Sequence, residues 1–128
     1  MSTYRTILLD VPPEPSSTGT LLYQPPSSYS GLIQALRVVA NVSETGRIDN
    51  PLQLVISIRS PGVDKFPIAW MPLPATGRNE IYDVMGYLSN LASFGLAGGA
   101  SLSVNPSETL QGQDSIKFWG FSIEGLAE

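Results

Sequence analysis

The sequence predicts an all-β protein, an antiparallel β-sandwich or jelly roll with at most one short helix, around residues 80–94. Two stretches near the middle of the chain alternate apolar and polar residues, as strands with one buried face do. Other short apolar runs recur along the chain between turns rich in Pro, Gly and Asn. Many short strands with frequent turn signals are typical of sandwiches.

The two alternating stretches cover residues 31–42 and 52–59, and the polar segment between them contains Gly46 and Pro51, which favour turns. This arrangement predicts either a β-hairpin or two neighbouring strands of a sandwich. Gln34 is a polar exception on the apolar side of the first stretch. The buried faces are expected to carry Leu32, Leu36, Val38, Ala40 and Val42 in the first stretch, and Leu52, Leu54, Ile56 and Ile58 in the second.

Residues 1–28 are predicted to form an extended Pro-rich N-terminal arm with edge strands, and residues 29–128 a β-sandwich domain. Pro12, Pro13 and Pro15 lack amide donors and keep their neighbours extended, so this segment cannot lie inside a sheet. The arm can pack on its own domain as two edge strands. Alternatively it can reach a neighbouring subunit, because a stiff extended segment loses little entropy on ordering.

The segment after residue 59 is expected to form an edge strand over residues 65–71, because Pro67 lacks the amide that an inner strand needs. A short helix or helical turn is expected within residues 80–94. Asn79 can cap it, and Glu80 and Asp83 would lie in its first turn, where the helix dipole favours carboxylates. The apolar residues at helical spacing are Ile81, Val84, Met85, Leu88 and Leu91.

The last apolar run covers residues 114–124 and changes its alternation part of the way along. Ile116 and Phe118 fall on one face, and the opposite face carries Trp119, Phe121 and Ile123. A β-bulge near residues 119–120 would account for this change, since one inserted residue reverses the face of every residue after it. The alternative is a strand buried on both faces.

The amino-acid composition excludes most of the common kinds of catalytic site. The 128 residues include no cysteine and no histidine, which excludes thiol nucleophiles, serine triads and the common zinc sites. The 11 acidic and 7 basic residues give a net charge of −4, so a phosphate-binding surface is not expected. We therefore expect no enzyme activity, no cofactor or metal, and no direct contact with nucleic acid.

Remaining polar motifs have structural explanations. The aspartates at positions 49, 64 and 114 could ligate calcium, but their spacing does not match an EF-hand and turn formation explains them. The N-terminus lacks the apolar segment of a signal peptide, and no apolar run approaches the roughly 18 residues that span a bilayer. A cytoplasmic chain with no membrane contact is expected.

Five segments follow a common pattern of turns and strands: Gly19-Thr-Leu-Leu-Tyr-Gln-Pro-Pro, Leu36-Arg-Val-Val-Ala-Asn-Val-Ser, the strand at 52–58, Leu102-Ser-Val-Asn-Pro-Ser-Glu-Thr-Leu-Gln-Gly-Gln-Asp-Ser-Ile and Trp119-Gly-Phe-Ser-Ile-Glu-Gly. Together they resemble small β-sandwich virion proteins of tailed bacteriophages. The resemblance extends over about residues 19–125. It departs from the family pattern at the late turn, where Gln113 is inserted between Gly112 and Asp114, and over residues 60–94, which have no clear counterpart.

The resemblance implies a capsid decoration (cement) protein that binds and stabilises the major capsid shell as an oligomer, with a homotrimer favoured. It also implies a virion location after assembly in the host cytoplasm, and the major capsid protein or another virion protein as partner. The alternative is a carbohydrate- or receptor-binding subunit of a phage tail or fibre, using exposed Tyr and Trp side chains. The expected contact residues are Tyr4, Leu8, Pro12, Pro13, Tyr23, Pro25, Pro26 and Tyr29.

Overall fold

The computed structural model describes residues 3–43, 51–60, 63–88 and 94–126. Its strands are β1 (Thr3–Asp10), β2 (Thr20–Tyr23), β3 (Tyr29–Asn41), β4 (Leu52–Ser60), β5 (Val63–Leu73), β6 (Asn79–Asp83), β7 (Phe94–Leu96), β8 (Ser101–Pro106) and β9 (Ser115–Leu126), with the helical turn α1 (Met85–Leu88) after β6. Sheet A has the order β1-β9-β3-β6, with β7 also paired to β3, and sheet B has the order β2-β8-β4-β5. The two antiparallel sheets pack against each other, which confirms the predicted all-β sandwich.

The core lies between the sheets and contains most of the apolar residues predicted for β3 and β4. Leu36 and Val38 of β3, like Leu54 and Ile56 of β4, have no exposed surface. Burial of one such side chain contributes about 1.5–3 kcal/mol relative to leaving it in water. The prediction was wrong for Leu32, which is 41% exposed and lies on the opposite side of sheet A.

A β-bulge in β3 explains the position of Leu32. The pairing of β3 with β9 shifts between Ile33 and Ala35, so Gln34 is the extra residue that changes the face of the chain. The bulge predicted near residues 119–120 of β9 was therefore placed on the wrong strand, since β9 pairs with β1 without interruption. Gly120 faces the bulge, and a Cβ atom there would come within 2.0 Å of the Ala35 carbonyl oxygen.

The two central strands do not form a hairpin. β3 belongs to sheet A, whereas β4 pairs with β5 and β8 in sheet B. They are therefore strands of facing sheets. Most of the turn residues predicted between them, within 44–50, lie outside the described residues. The edge position predicted from Pro67 is confirmed, because β5 lies at the edge of sheet B.

The helix is shorter than its sequence pattern indicates. Residues 79–83, expected to cap and begin it, form strand β6 and pair with β3. An oxygen of Asp83 (Oδ1) accepts a hydrogen bond from the Met85 N–H at 3.1 Å and so caps α1 from its N-terminal side. Leu91 lies outside the described residues. Within the described segments, no helix has the length and hydropathy needed to cross a membrane.

The predicted N-terminal arm contributes an edge strand to each sheet. β1 pairs with β9, β2 pairs with β8, and Ile7, Val11 and Leu22 are part of the core. The linker between these strands is also attached to the sandwich: Pro13 accepts a hydrogen bond from the Leu110 amide at 2.8 Å. Residues 3–23 thus follow the interpretation in which the arm packs on its own domain.

Candidate binding surface

The outward side of sheet A carries four cross-strand rows of side chains, which we call the outer face. Because directly paired residues of antiparallel strands share a face, Tyr4 of β1, Ile123 of β9 and Leu32 of β3 form the first row. The other rows are Thr6, Phe121 and Ala35; Leu8, Trp119, Arg37 and Asp83; and Asp10, Lys117, Val39 and Ile81. Apolar residues therefore adjoin one another on a surface that points away from the core.

Several apolar side chains of the outer face are exposed to solvent. Tyr4 and Leu8 on β1 are each 74% exposed, Ile81 on β6 is 62% exposed and Phe121 on β9 is 40% exposed. The rings of Tyr4 and Phe121 contact each other in a tilted arrangement, with 6.0 Å between their centroids and 49° between their planes. The outer face thus extends from one edge strand of sheet A to the other.

Trp119 lies half-buried near the middle of the outer face, between two shallow depressions. One depression is lined by Leu8, Val39 and Lys117, and the other by Ala35 and Arg37. An aromatic ring beside a depression gives a partner both an apolar contact and a recess that its own side chains can fill. This region has the form of the centre of a protein contact surface.

The charges of the outer face occur as opposite pairs on neighbouring strands. Asp10 of β1 is directly opposite Lys117 of β9, and Arg37 of β3 is directly opposite Asp83 of β6. Opposite charges at paired positions stabilise a sheet, whereas like charges would destabilise it. The outer face is therefore locally neutral, although the whole chain carries a net charge of −4.

The outward side of sheet B has a different composition. Its strand β8 presents Ser101, Ser103 and Asn105, and its exposed apolar residues lie on the two edge strands, Leu21 on β2 and Trp70 on β5. Because β8 in the middle of the sheet is polar, the described side chains on this side do not form the continuous apolar rows that β1, β9 and β3 present.

A buried polar network holds β1 and β2 in place. Arg5 of β1 is ion-paired with Glu124 of β9 at 2.8 Å, and Glu124 is 1% exposed. Tyr23 of β2 donates a second hydrogen bond to the same carboxylate oxygen, at 2.6 Å, and Ser122 donates to the Tyr23 hydroxyl at 3.0 Å. A buried carboxylate is tolerated when it is paired and hydrogen-bonded in this way.

The network changes the acid–base behaviour of two of its members. Burial, together with the hydrogen bond to Glu124, raises the pKa of Tyr23 to about 12. The hydrogen bond to Glu124 and the negative charge of that residue raise the pKa of Arg5. Both shifts favour the neutral phenol, which can donate a hydrogen bond, and the charged guanidinium, which can form an ion pair.

The predicted contact residues lie in four different environments. Tyr4 and Leu8 lie together on the outer face, and Pro12 and Pro13 are exposed in the linker between β1 and β2. Tyr23 is instead buried in the network that joins the sheets. Pro25 is also buried, Pro26 is half-buried at the turn before β3, and Tyr29 is half-buried as the first residue of β3. Tyr23 and Pro25 therefore cannot supply contact area in this structure.

The prediction from sequence missed most of the outer face. Trp119, Phe121 and Ile123 did carry a signal, because apolar residues on both sides of β9 left open a strand buried on both faces. The bulge places Leu32 on the face opposite to the one that alternation predicts. Ile81 was assigned to a helix because of its spacing, whereas it lies in β6.

One polar depression lies away from the outer face, at one end of the sandwich. It is lined by amide and hydroxyl side chains, including Asn41, Thr76 and Gln111. Asp114 nearby accepts hydrogen bonds from the amides of Ser43 and Gln111, at 2.6 Å and 2.8 Å, as expected of a turn residue. Among the described residues, no group of three or more acidic side chains is placed to hold a metal ion.

Comparison with known proteins gives structural similarity without a match to a family model or a curated protein. A chain in the structure of the infectious bursal disease virus Gt strain is similar over 98% of this chain, with 10% sequence identity and a TM-score of 0.34. The match covers 40% of that chain, so this protein spans less than half of its length.

Proposed function

We propose that this chain is a non-catalytic structural subunit of a virion that binds the major capsid protein through the outer face of sheet A. The outer face is the observation on which the proposal rests: β1, β9 and β3 place apolar side chains in adjoining rows, with exposure of up to 74%. Contiguous apolar surface of this kind marks protein contact sites. The class of partner comes from the resemblance to phage decoration proteins.

The size of the outer face sets the strength of the contact. From the strand spacing and the rise per residue, the four rows, two of three residues and two of four, cover about 500 Å². The coefficient of about 25 cal/mol per Å² applies to apolar surface, and part of the outer face is polar, so complete burial would contribute less than about 10 kcal/mol. The cost of association is of similar size. A single copy therefore binds with modest affinity, and stabilisation of a shell depends on many copies.

Co-sedimentation tests this proposal with capsids assembled from the major capsid protein encoded in the same genome. The wild-type chain is expected to pellet with the capsids. Phe121→Lys is expected to lower the affinity at least tenfold, because a lysine in the middle of the contact would be buried without a partner charge. Far-UV circular dichroism and the thermal midpoint establish that the variant is folded.

Trp70→Lys is the matched control. Trp70 is an aromatic residue with 54% exposure, but it lies on sheet B, so this variant is expected to bind capsids like the wild type. Absence of wild-type binding, or equal binding by Phe121→Lys, contradicts the proposal. The same two variants on a glycan array address the alternative function, since sugar binding that Trp70→Lys abolishes would favour a carbohydrate-binding subunit.

A further inference from the structure

The backbone of β1 has a defined set of unpaired hydrogen-bonding groups. The Val11 amide donates to the Ile116 carbonyl at 2.9 Å, and the same register continues along β1. Because hydrogen-bonded pairs alternate along antiparallel strands, Leu9, Ile7 and Arg5 bond to β9. The N–H and C=O groups of Tyr4, Thr6, Leu8 and Asp10 then point away from β9, where no described strand pairs with them.

The other edges of the two sheets carry features that block further pairing. β5 contains Pro67 and Lys65, and β2 has four residues and is soon followed by Pro25. β6 has five residues and includes Glu80 and Asp83, and β7, at the same edge of sheet A, has three residues. Prolines, charges and short length are the usual protection of an edge strand. Among the described edges, β1 differs: it has eight residues, no proline and no bulge against β9.

We infer that two copies of this chain pair β1 with β1 in an antiparallel arrangement, which makes sheet A continuous across both subunits. In the best register, Thr6 lies opposite Thr6 of the second copy, and Tyr4 lies opposite Leu8 of the second copy on each side of the two-fold axis. Aromatic and aliphatic residues at directly opposed positions stabilise antiparallel pairs. The edge is thus complementary to itself, as an interface with two-fold symmetry requires.

Neighbouring registers fit less well. A shift of two residues in one direction places Tyr4 opposite Asp10 of the second copy. A shift of two residues in the other direction places Tyr4 opposite Thr6, so the pairing of an aromatic with an aliphatic residue is lost. In the favoured register the paired stretch carries one charged side chain per copy, Arg5, and Glu124 of the same copy already neutralises it. Pairing therefore brings no uncompensated like charges together.

The second copy also completes a surface of sufficient size. One outer face of about 500 Å² is smaller than the roughly 800 Å² per partner of a standard interface. A two-fold axis perpendicular to the sheet turns both outer faces to the same side, and together they reach about 1,000 Å². This last step depends on the proposed function, whereas the pairing itself does not. The pairing occupies the β1 edge of each copy. It therefore predicts a dimer instead of the trimer expected from the resemblance.

Sedimentation equilibrium of the full-length chain over a concentration series tests the inference. The wild type is expected to be a dimer. Thr6→Lys and Thr6→Asp are each expected to weaken the dimer at least tenfold, because each places two like charges opposite each other at the axis. An equimolar mixture of the two variants is expected to restore a 1:1 dimer. Thr18→Lys adds the same charge at an exposed linker position and is expected to leave the dimer unchanged.

Hydrogen exchange gives a second readout that does not require a variant. The amides of Thr6 and Leu8 are expected to be protected at high concentration and to lose protection on dilution, while those of Arg5 and Ile7 stay protected throughout. A monomeric or trimeric wild type, a Thr6→Lys variant that dimerises like the wild type, or a mixture that fails to recover the dimer would overturn the inference. A monomer that still binds capsids would overturn it and leave the proposed function standing.

Discussion

The Tyr23 hydroxyl donates a hydrogen bond of 2.6 Å to the Glu124 carboxylate across the gap between the two sheets. Tyr23 belongs to the edge strand of sheet B, and Glu124 belongs to the second strand of sheet A. The same carboxylate oxygen pairs with Arg5 of β1. One buried acid thus connects both edge strands of the N-terminal segment, and it holds the strand that carries Tyr4 and Leu8 of the outer face.

Removal of the Tyr23 hydroxyl is expected to destabilise the fold. In Tyr23→Phe the ring remains, but Glu124 and Ser122 each lose a buried hydrogen-bond partner. A buried group left without its partner costs about 1–3 kcal/mol. Urea unfolding monitored by circular dichroism measures this loss. Tyr87→Phe is the control, because Tyr87 is exposed and its hydroxyl loss is expected to change the free energy by less than about 0.5 kcal/mol. Equal stability of the two variants would contradict the role given to the network.

The raised pKa of Tyr23 predicts a loss of stability at alkaline pH. Because the pKa is about 12 in the folded chain and 10.0 is the ordinary value, the stabilisation is complete below pH 10 and disappears as the pH rises through 12. Over this window the wild type is expected to lose about 2 kcal/mol more than Tyr23→Phe. Urea unfolding of both proteins at several pH values measures the difference between their free energies of unfolding. Taking this difference removes the contribution of the other tyrosines and the lysines, which both proteins share. A difference that stays constant from pH 9 to 12 would contradict the prediction.

The contact between Gly120 and the bulge of β3 predicts a large effect of a single methyl group. In Gly120→Ala the new Cβ would lie 2.0 Å from the Ala35 carbonyl oxygen, so the two central strands must separate locally. We expect a loss of about 1–3 kcal/mol or more in the free energy of unfolding.

Gly86→Ala is the matched control for this substitution. Nothing lies within 4 Å of a Cβ atom at Gly86, which is in α1. Alanine is favoured over glycine in a helix by about 1 kcal/mol, so this variant is expected to be as stable as the wild type or slightly more stable. Thermal unfolding of both variants compares them directly. A Gly120→Ala variant with wild-type stability would show that the bulge does not pack against β9 as described.

Alternation in the sequence correctly predicts which side of β4 is buried, because a period of two residues defines the two faces of a strand. It does not define the partner strand, and for this reason β3 and β4 were also consistent with a hairpin. Gly120 correctly marked an irregularity in sheet A. The extra residue is Gln34 on the neighbouring strand β3. The sequence does not distinguish a glycine that lies opposite a bulge from a glycine that lies within one.

The candidate surface was harder to predict than the core. Tyr4 and Leu8 were expected contact residues, and they lie on the outer face because β1 is a regular edge strand. Tyr23 was expected beside them, but its hydroxyl has a buried carboxylate partner 101 positions away in the chain, which local pattern cannot indicate. Ile81 has helical spacing to Met85 in the sequence, and pairing with β3 turns it outward.

Carbene footprinting of the chain bound to capsids, compared with the unbound chain, tests the binding surface most directly. Phe121 and Ile81 are exposed on the outer face, and neither belongs to the β1 edge, so dimerisation alone does not cover them. Their labelling is expected to fall at least severalfold on binding, while Trp70 on sheet B is labelled equally in both states. Unchanged labelling of Phe121 and Ile81, with protection of Trp70, would contradict the assignment of the outer face as the capsid-binding surface.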